Sequence, residues 1–188
     1  MKKRLIIGMS GASGAPLTVE LLKQLNQNCP DIETHLIITR GGEMTLASET
    51  DLTLDDLRKM ATVCHDNHDI GACVASGSFR TMGMIVIPCS MKTVAGIVTG
   101  YSNNLLLRAA DVCLKERRKL VLVARESPLS AVHLRNLYEA ARFGAVILPP
   151  VPAYYRGFST AAQMTEYTVQ RILAQFELES DAWEWQGG

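Results

Sequence analysis

The sequence predicts a three-layer α/β/α domain built on a doubly wound parallel sheet. Three observations carry that expectation. Short apolar runs rich in Ile, Val and Leu recur along the chain, and stretches of helical period separate them. The runs are apolar throughout rather than alternating, as strands covered on both faces must be.

Residues 5–9 read as the first buried strand, followed by a Gly/Ser turn. Residues 16–25 place Leu17, Leu21, Leu22 and Leu25 on one helical face. A second strand is expected at 35–38, with helical stretches at 42–48 and 53–62. Residues 84–87 form a third strand closed by Pro88, because proline cannot donate to a ladder. Helical stretches follow at 94–98 and 104–115, then a fourth strand at 120–124. A helix at 130–142 carries Val132, Leu134 and Leu137, and a fifth strand spans 145–148. After the break Pro149-Pro150-Val151-Pro152, residues 160–176 form a closing helix. No repeat or linker interrupts this order, so one domain over 1–188 is expected, with 177–188 as a C-terminal tail.

The 188 residues are 47% hydrophobic, and 19 Lys and Arg balance 19 Asp and Glu. That composition excludes a disordered chain and offers no basic field for nucleic acid. Five cysteines at 29, 64, 73, 89 and 113 form no C-x-x-C pair, which fits reduced thiols in the cytoplasm. The start imitates a signal peptide, but Gly8 breaks its apolar run short of the ~7–15 residues needed. No run approaches the ~20 residues of a membrane span.

Ligands of such sheets bind beyond the carboxyl ends of the strands. Here those ends are Ser10-Gly11-Ala12-Ser13-Gly14, Thr39-Arg40, Pro88-Cys89-Ser90-Met91-Lys92-Thr93 and Arg125-Glu126-Ser127-Pro128. The first loop suits an anion at a helix start, with Ser13 as helix cap and phosphate donor. A dinucleotide fingerprint needs glycine at Ser10 and an acid where Thr39-Arg40 stands, so NAD is disfavoured; NADP through Arg40 stays open. A nucleophile elbow over 11–15 fails on order, since no earlier strand supplies its oxyanion donor. Ser90-Met91-Lys92-Thr93 offers two hydroxyls and an ammonium to a phosphate or a ring edge, without an ATP loop.

Cys64-His65-Asp66-Asn67-His68-Asp69 has metal-ligating residue types. Ligands so dense in sequence seldom converge, and no distant Cys/His pair completes a set, so a solvated loop is expected. A carboxyl at Glu126 is raised by desolvation or lowered by pairing with Arg125; the sequence leaves both open.

Seven segments in order resemble one family. They are Gly8-x-Ser10-Gly11-Ala12-Ser13-Gly14, Leu46-x-x-Glu49-Thr50, Ser76-Gly77-Ser78-Phe79, residues 88–93, Leu114-Lys115-Glu116-Arg117-Arg118, residues 125–129, and residues 149–155. Together they resemble the UbiX/Pad-type flavin prenyltransferases, formerly called aromatic acid decarboxylases, from near residue 4 to about 176. The resemblance implies a Rossmann-like or flavodoxin-like flavoprotein that attaches a dimethylallyl group to N5 and C6 of reduced FMN. It implies dimethylallyl phosphate as donor and a UbiD-type decarboxylase as recipient of prenylated FMN. By position, Gly11, Ala12, Ser13, Thr39, Ser90, Met91, Lys92, Thr93 and Arg125 would contact FMN. Thr39 keeps the hydroxyl where many relatives carry serine.

Tyr155 and Arg171 would hold the dimethylallyl phosphate, with Lys115 and Arg108 adding charge. Glu49, Glu126 and Lys115 would be catalytic, Glu126 supplying or relaying a proton. Relatives form homododecamers with sites where subunits meet, which lets some side chains act on a neighbour's flavin. Asp51, Asp55 and Asp56 lack the spacing of a metal-bound diphosphate site, so no metal is expected. Trp183 and Trp185 either cover the developing cation or belong to a tail. Two rivals stand beside this reading. One is an FMN-dependent decarboxylase of an aromatic acid or a cysteine-bearing substrate, and the other a non-catalytic FMN carrier.

Overall fold

The computed structural model describes residues 2–178. Its strands are β1 (Lys3–Met9), β2 (Ile32–Ile38), β3 (Val63–His65), β4 (Gly83–Cys89), β5 (Lys119–Ala124) and β6 (Val146–Ile147). The helices are α1 (Ala15–Asn28), α2 (Arg40–Glu49), α3 (Leu54–Lys59), α4 (Met91–Thr99), α5 (Leu105–Lys115), α6 (Ala131–Arg142) and α7 (Ala161–Ala174). Single 3₁₀ turns occur at Cys73–Ala75 and Tyr154–Arg156. The sheet is six-stranded in the order β3-β2-β1-β4-β5-β6, and every pair is parallel. The doubly wound expectation holds.

Side-chain alternation explains the continuous apolar strands. Leu5, Ile7 and Met9 of β1 point to one face, where α1 and α7 add Leu21, Leu22, Leu25, Val169 and Ile172. Ile6 of β1 points to the other, with Met84 and Val86 of β4 and with Val94, Leu106, Ala109 and Cys113 of α4 and α5. Both faces are dry, so neither set can be polar.

Three expectations change. The sheet has a sixth strand, β3, whose three residues extend the edge beyond β2 and replace the start of the expected solvated loop at 64–69. Without β3, the other five strands have the flavodoxin order. The third expected strand does not close at Pro88. β4 runs through it to Cys89, with a register irregularity between Val86 and Cys89. The Pro88 carbonyl accepts the Ser10 N–H at 3.1 Å, and Cys89 O accepts the Arg125 N–H at 3.1 Å, so the chain stays tied beyond the proline. Finally, α6 turns Asn136 and Ala140 inward, while Val132 and Leu134 are each 55% exposed. The Ser130–His133 capping box fixes that phase from the helix start. Of the tail at 177–188, residues 179–188, with Trp183 and Trp185, lie outside the described residues.

Candidate active site

The strand order reverses between β1 and β4, which run parallel, and the loops leaving their carboxyl ends meet there. Ser10 locks the two together. Its hydroxyl donates to Pro88 O at 3.0 Å and accepts the Ser90 N–H at 2.8 Å. With 1% exposure, Ser10 is a strut between loops, not a ligand donor. The loop after β1 also touches the start of α2. A Cβ on Gly11 would lie 2.8 Å from Gly41 Cα, and one on Gly41 would lie 2.9 Å from Gly11 Cα. Only glycine on both sides permits that approach.

A cavity of about 330 Å³ opens at this junction, lined by Gly11, Thr39, Arg40, Ser90, Lys92 and Thr93 among others. Thr39 caps α2 by accepting the Gly42 N–H at 3.1 Å, and Ser90 caps α4 by accepting the Thr93 N–H at 3.3 Å. Both helix starts therefore face the cavity with their positive dipole ends. Such a floor of bare backbone, flanked by hydroxyls and one ammonium, fits a planar ring with a phosphate tail. Met91 is buried in the core beneath α4 and does not line the cavity. Sequence reasoning missed Asn67, His68 and Asn104 on its wall. Asn67 docks there by accepting the N–H of Leu105 at 2.8 Å and of Leu106 at 3.1 Å.

The α1 start departs from expectation. Its cap residue is Gly14, and no side chain caps from that position. Instead Glu49, at the end of α2, accepts the N–H of Gly14 and of Ala15, each at 2.8 Å. Ser13 is not the helix cap but a hydrogen-bond partner of that carboxylate. Burial pushes the Glu49 carboxyl upward, but bonds from Gly14, Ser13 and Ala15 and the charge of Arg125 outweigh it. Its pKa lies below the usual glutamate value.

Ser13 and Glu49 line a second cavity of about 510 Å³, with Pro152 and Thr168 at its far side. Those two residues also line a third cavity of about 310 Å³, which holds Tyr155 and Arg171. Tyr167, unmarked by any sequence motif, lies 3.0 Å from Tyr155, hydroxyl to hydroxyl. That hydrogen bond, then burial, raises its pKa against the opposing charge of Arg171 and Arg156.

Other expected residues are not brought together within one chain. α5 starts at the first cavity, but Lys115 lies ten residues on, about 15 Å along the axis, paired with Glu116 at 2.5 Å. Arg108 pairs with Asp111 at 2.7 Å and donates to Ala75 O. Glu126 is exposed and accepts the Ser127 N–H at 3.0 Å. Among the described residues no ion pair joins it to Arg125.

A doubly wound sheet with glycine-tight loops at its switch point belongs to the nucleotide- and flavin-binding class of such folds. The Flavoprotein family matches over residues 1–175. The flavin prenyltransferase UbiX of Escherichia coli (strain K12) is 51% identical over 176 residues, covering 94% of this chain and 93% of that protein. The crystal structure of a dodecameric FMN-dependent UbiX-like decarboxylase from Escherichia coli O157:H7 superposes with a TM-score of 0.95. Its identity is 49%, and the match covers 98% of this chain and all of that one. AnUbiX (PadA1), crystallised with FMN and dimethylallyl pyrophosphate, gives 0.96 at 46% identity over the whole of both chains. The chain belongs to the flavoprotein family and, within it, to the UbiX-like flavin prenyltransferases.

Proposed function

We propose that this protein joins the dimethylallyl group of dimethylallyl phosphate to reduced FMN, and that a UbiD-type aromatic acid decarboxylase uses the prenylated product. The observation that carries this reading is the run of cavities around the first loop. The glycine-tight cavity beside Gly11 is followed by one under Glu49, which shares Pro152 and Thr168 with the Tyr155–Arg171 cavity. Acceptor and donor thus have separate compartments, and the donor's shares its walls with the Glu49 cavity. One relative described as FMN-dependent, and another crystallised with FMN and dimethylallyl pyrophosphate, support the pairing.

Bound reduced flavin supplies the nucleophilic N5 and C6. The chain's own residues do the rest. Thr39, Ser90, Lys92 and Thr93, with the backbone of 11–13, hold and orient the ring and its phosphate; Arg125 adds charge at the same sheet edge. Arg171 and the Tyr155 hydroxyl bind the donor phosphate and take up negative charge as its bond to the allylic carbon breaks. Glu49 stays ionised and keeps α1 and its loop in place. Glu126 supplies the proton that phosphate gains on leaving. Arg108 and Lys115 reach the site of a neighbouring subunit, in an assembly that we take to be a homododecamer, as one relative is. The transfer needs no metal, since a monophosphate held by side chains has its charge matched already. No described helix is long and apolar enough to cross a membrane, and all five cysteines are free; both support a cytoplasmic setting.

The test is mass spectrometry of flavin after incubation of the protein with reduced FMN and dimethylallyl phosphate, with and without chelator. A flavin heavier by one prenyl unit in both samples is expected. Unmodified flavin, together with carbon dioxide released from an aromatic acid by this protein alone, would establish the decarboxylase reading instead.

A further inference from the structure

The fold assembles a second cluster that the flavin chemistry does not use. β2 carries His35, β3 carries His65, and the 3₁₀ turn after β3 begins at Cys73. One ligand atom from each lies within 4.8 Å of the others. The sequence expectation that no distant Cys/His pair would join the 64–69 segment is thereby overturned: pairing β3 beside β2 supplies the histidine, and the turn supplies the thiol.

We infer that His35, His65 and Cys73 form a binding site for zinc or a similar borderline divalent metal, separate from the flavin cavity. Two nitrogens and one sulfur are ligands that such a metal takes, with water completing a tetrahedron. His35 is 2% exposed, and its Nε2 lies 2.9 Å from a Glu33 carboxylate oxygen. Glu33 itself is fixed by Arg4 and Lys2, each at 2.9 Å. A carboxylate behind a ligating histidine sets its tautomer and leaves the other nitrogen open as a lone pair, the usual arrangement at metal sites. That other nitrogen, Nδ1, faces His65 Nε2 at 2.9 Å. Two tetrahedral bonds of ~2.0–2.1 Å would set these nitrogens about 3.3 Å apart, so the histidines need part by only a few tenths of an ångström, and the exposed Cys73 thiol turns in to close the third bond.

The proton balance is simple. His65 moves its ring proton from Nε2 to Nδ1, and Cys73 loses its thiol proton to solvent, so one proton leaves per metal bound. Cys73 is exposed and His65 half-buried, which gives the ion a path in from solvent. Occupancy would fasten the segment from β3 to the 3₁₀ turn, whose Asn67 and His68 line the flavin cavity. The cluster is thus a clamp behind one cavity wall, not part of the transfer machinery.

The test uses the full chain, stripped with chelator and titrated with zinc against a chromophoric competitor, then with cobalt as a spectroscopic probe. One metal per chain is expected, with a thiolate-to-cobalt charge-transfer band and a rise in Tm on adding zinc. Cys73→Ser, at an exposed position, should fold normally, lose the band and the Tm rise, and bind zinc at least tenfold more weakly. Cys64→Ser, an exposed thiol next to His65 but outside the cluster, should change none of these. Glu33→Gln should keep the band while weakening affinity by about 10–100-fold. Absence of the band in the wild-type chain, or a band that survives in Cys73→Ser, would overturn the inference and leave the histidines as a buried hydrogen-bonded pair.

Discussion

The Glu49 carboxylate accepts the backbone N–H of Gly14 at 2.8 Å, so the last residue of α2 caps the first turn of α1. With Ala15 as second donor, one side chain satisfies two N–H groups that otherwise have no helical partner. The Gly11–Gly41 contact and this carboxylate together fasten the β1 loop to α2 at both ends of α2.

Glu49→Gln tests that fastening. The amide keeps one acceptor atom but loses the charge that opposes the α1 dipole. A loss of about 1 kcal/mol is expected from cap replacement, and hence a fall in Tm of roughly 2–4 °C for a chain of this size. FMN should bind more weakly, because its loop is less firmly held. Calorimetry with a flavin titration measures both; an unchanged Tm would show that α1 does not need the carboxylate.

The pH dependence follows from two lowered carboxyls. Hydrogen bonds from Lys2, His35 and Arg4 bring Glu33 from 4.5 to about 2, and the bonds from the loop hold Glu49 below its usual value. Each folded-state pKa lies below the unfolded one. The stabilisation is therefore full above pH 4.5 and is lost as pH falls through the folded values, for Glu33 between about 4.5 and about 2. Thermal melts should show Tm falling across that window, and Glu33→Gln should flatten the fall. A Glu33→Gln profile parallel to wild type would remove Glu33 from the acid sensitivity.

Gly41→Ala places a methyl 2.9 Å from Gly11 Cα, backbone against side chain with no flexible neighbour to give way. The two loops must part, and the floor of the cavity moves with them. FMN affinity should fall by at least tenfold, measured by quenching of flavin fluorescence, whereas Gly100→Ala, whose left-handed φ costs stability but whose methyl meets nothing within 4 Å, should leave affinity unchanged. Equal affinity in Gly41→Ala and wild type would mean that this contact does not shape the flavin site.

Strand runs and the ligand edge were legible because burial on both faces forces apolar continuity, as at Leu5–Met9, and because loops at the carboxyl ends concentrate Gly, Ser and Thr. β3 was not legible. Its three residues include a histidine whose partners, His35 and Cys73, lie 30 and 8 positions away, and periodicity carries no information at that range. The Glu49 cap was hidden for the same reason: sequence reading looks for a cap beside the helix, at Ser13, whereas this one comes from 35 residues further on. Val132 and Leu134 misled in the opposite sense. Two positions apart, they lie on opposite sides of α6 and share no face, and in the single chain both are exposed.

Glu126 is the sharpest test of the proposed chemistry. It is exposed, among the described residues its carboxylate bonds to its own loop through the Ser127 N–H, and the charge of Arg125 acts on Glu49. Glu126→Gln therefore strands no buried arginine, and the variant should fold with wild-type Tm and FMN affinity. If Glu126 passes the proton to departing phosphate, single-turnover prenylation at saturating FMN should slow by ~10²–10⁴-fold, the usual contribution of a positioned proton donor. The control is Arg125→Gln, which should weaken FMN binding first, because it removes charge at the flavin edge and support for ionised Glu49. The two variants thus separate chemistry from binding. Turnover near wild type in Glu126→Gln would assign phosphate departure to Arg171, Tyr155 and a neighbour's Lys115.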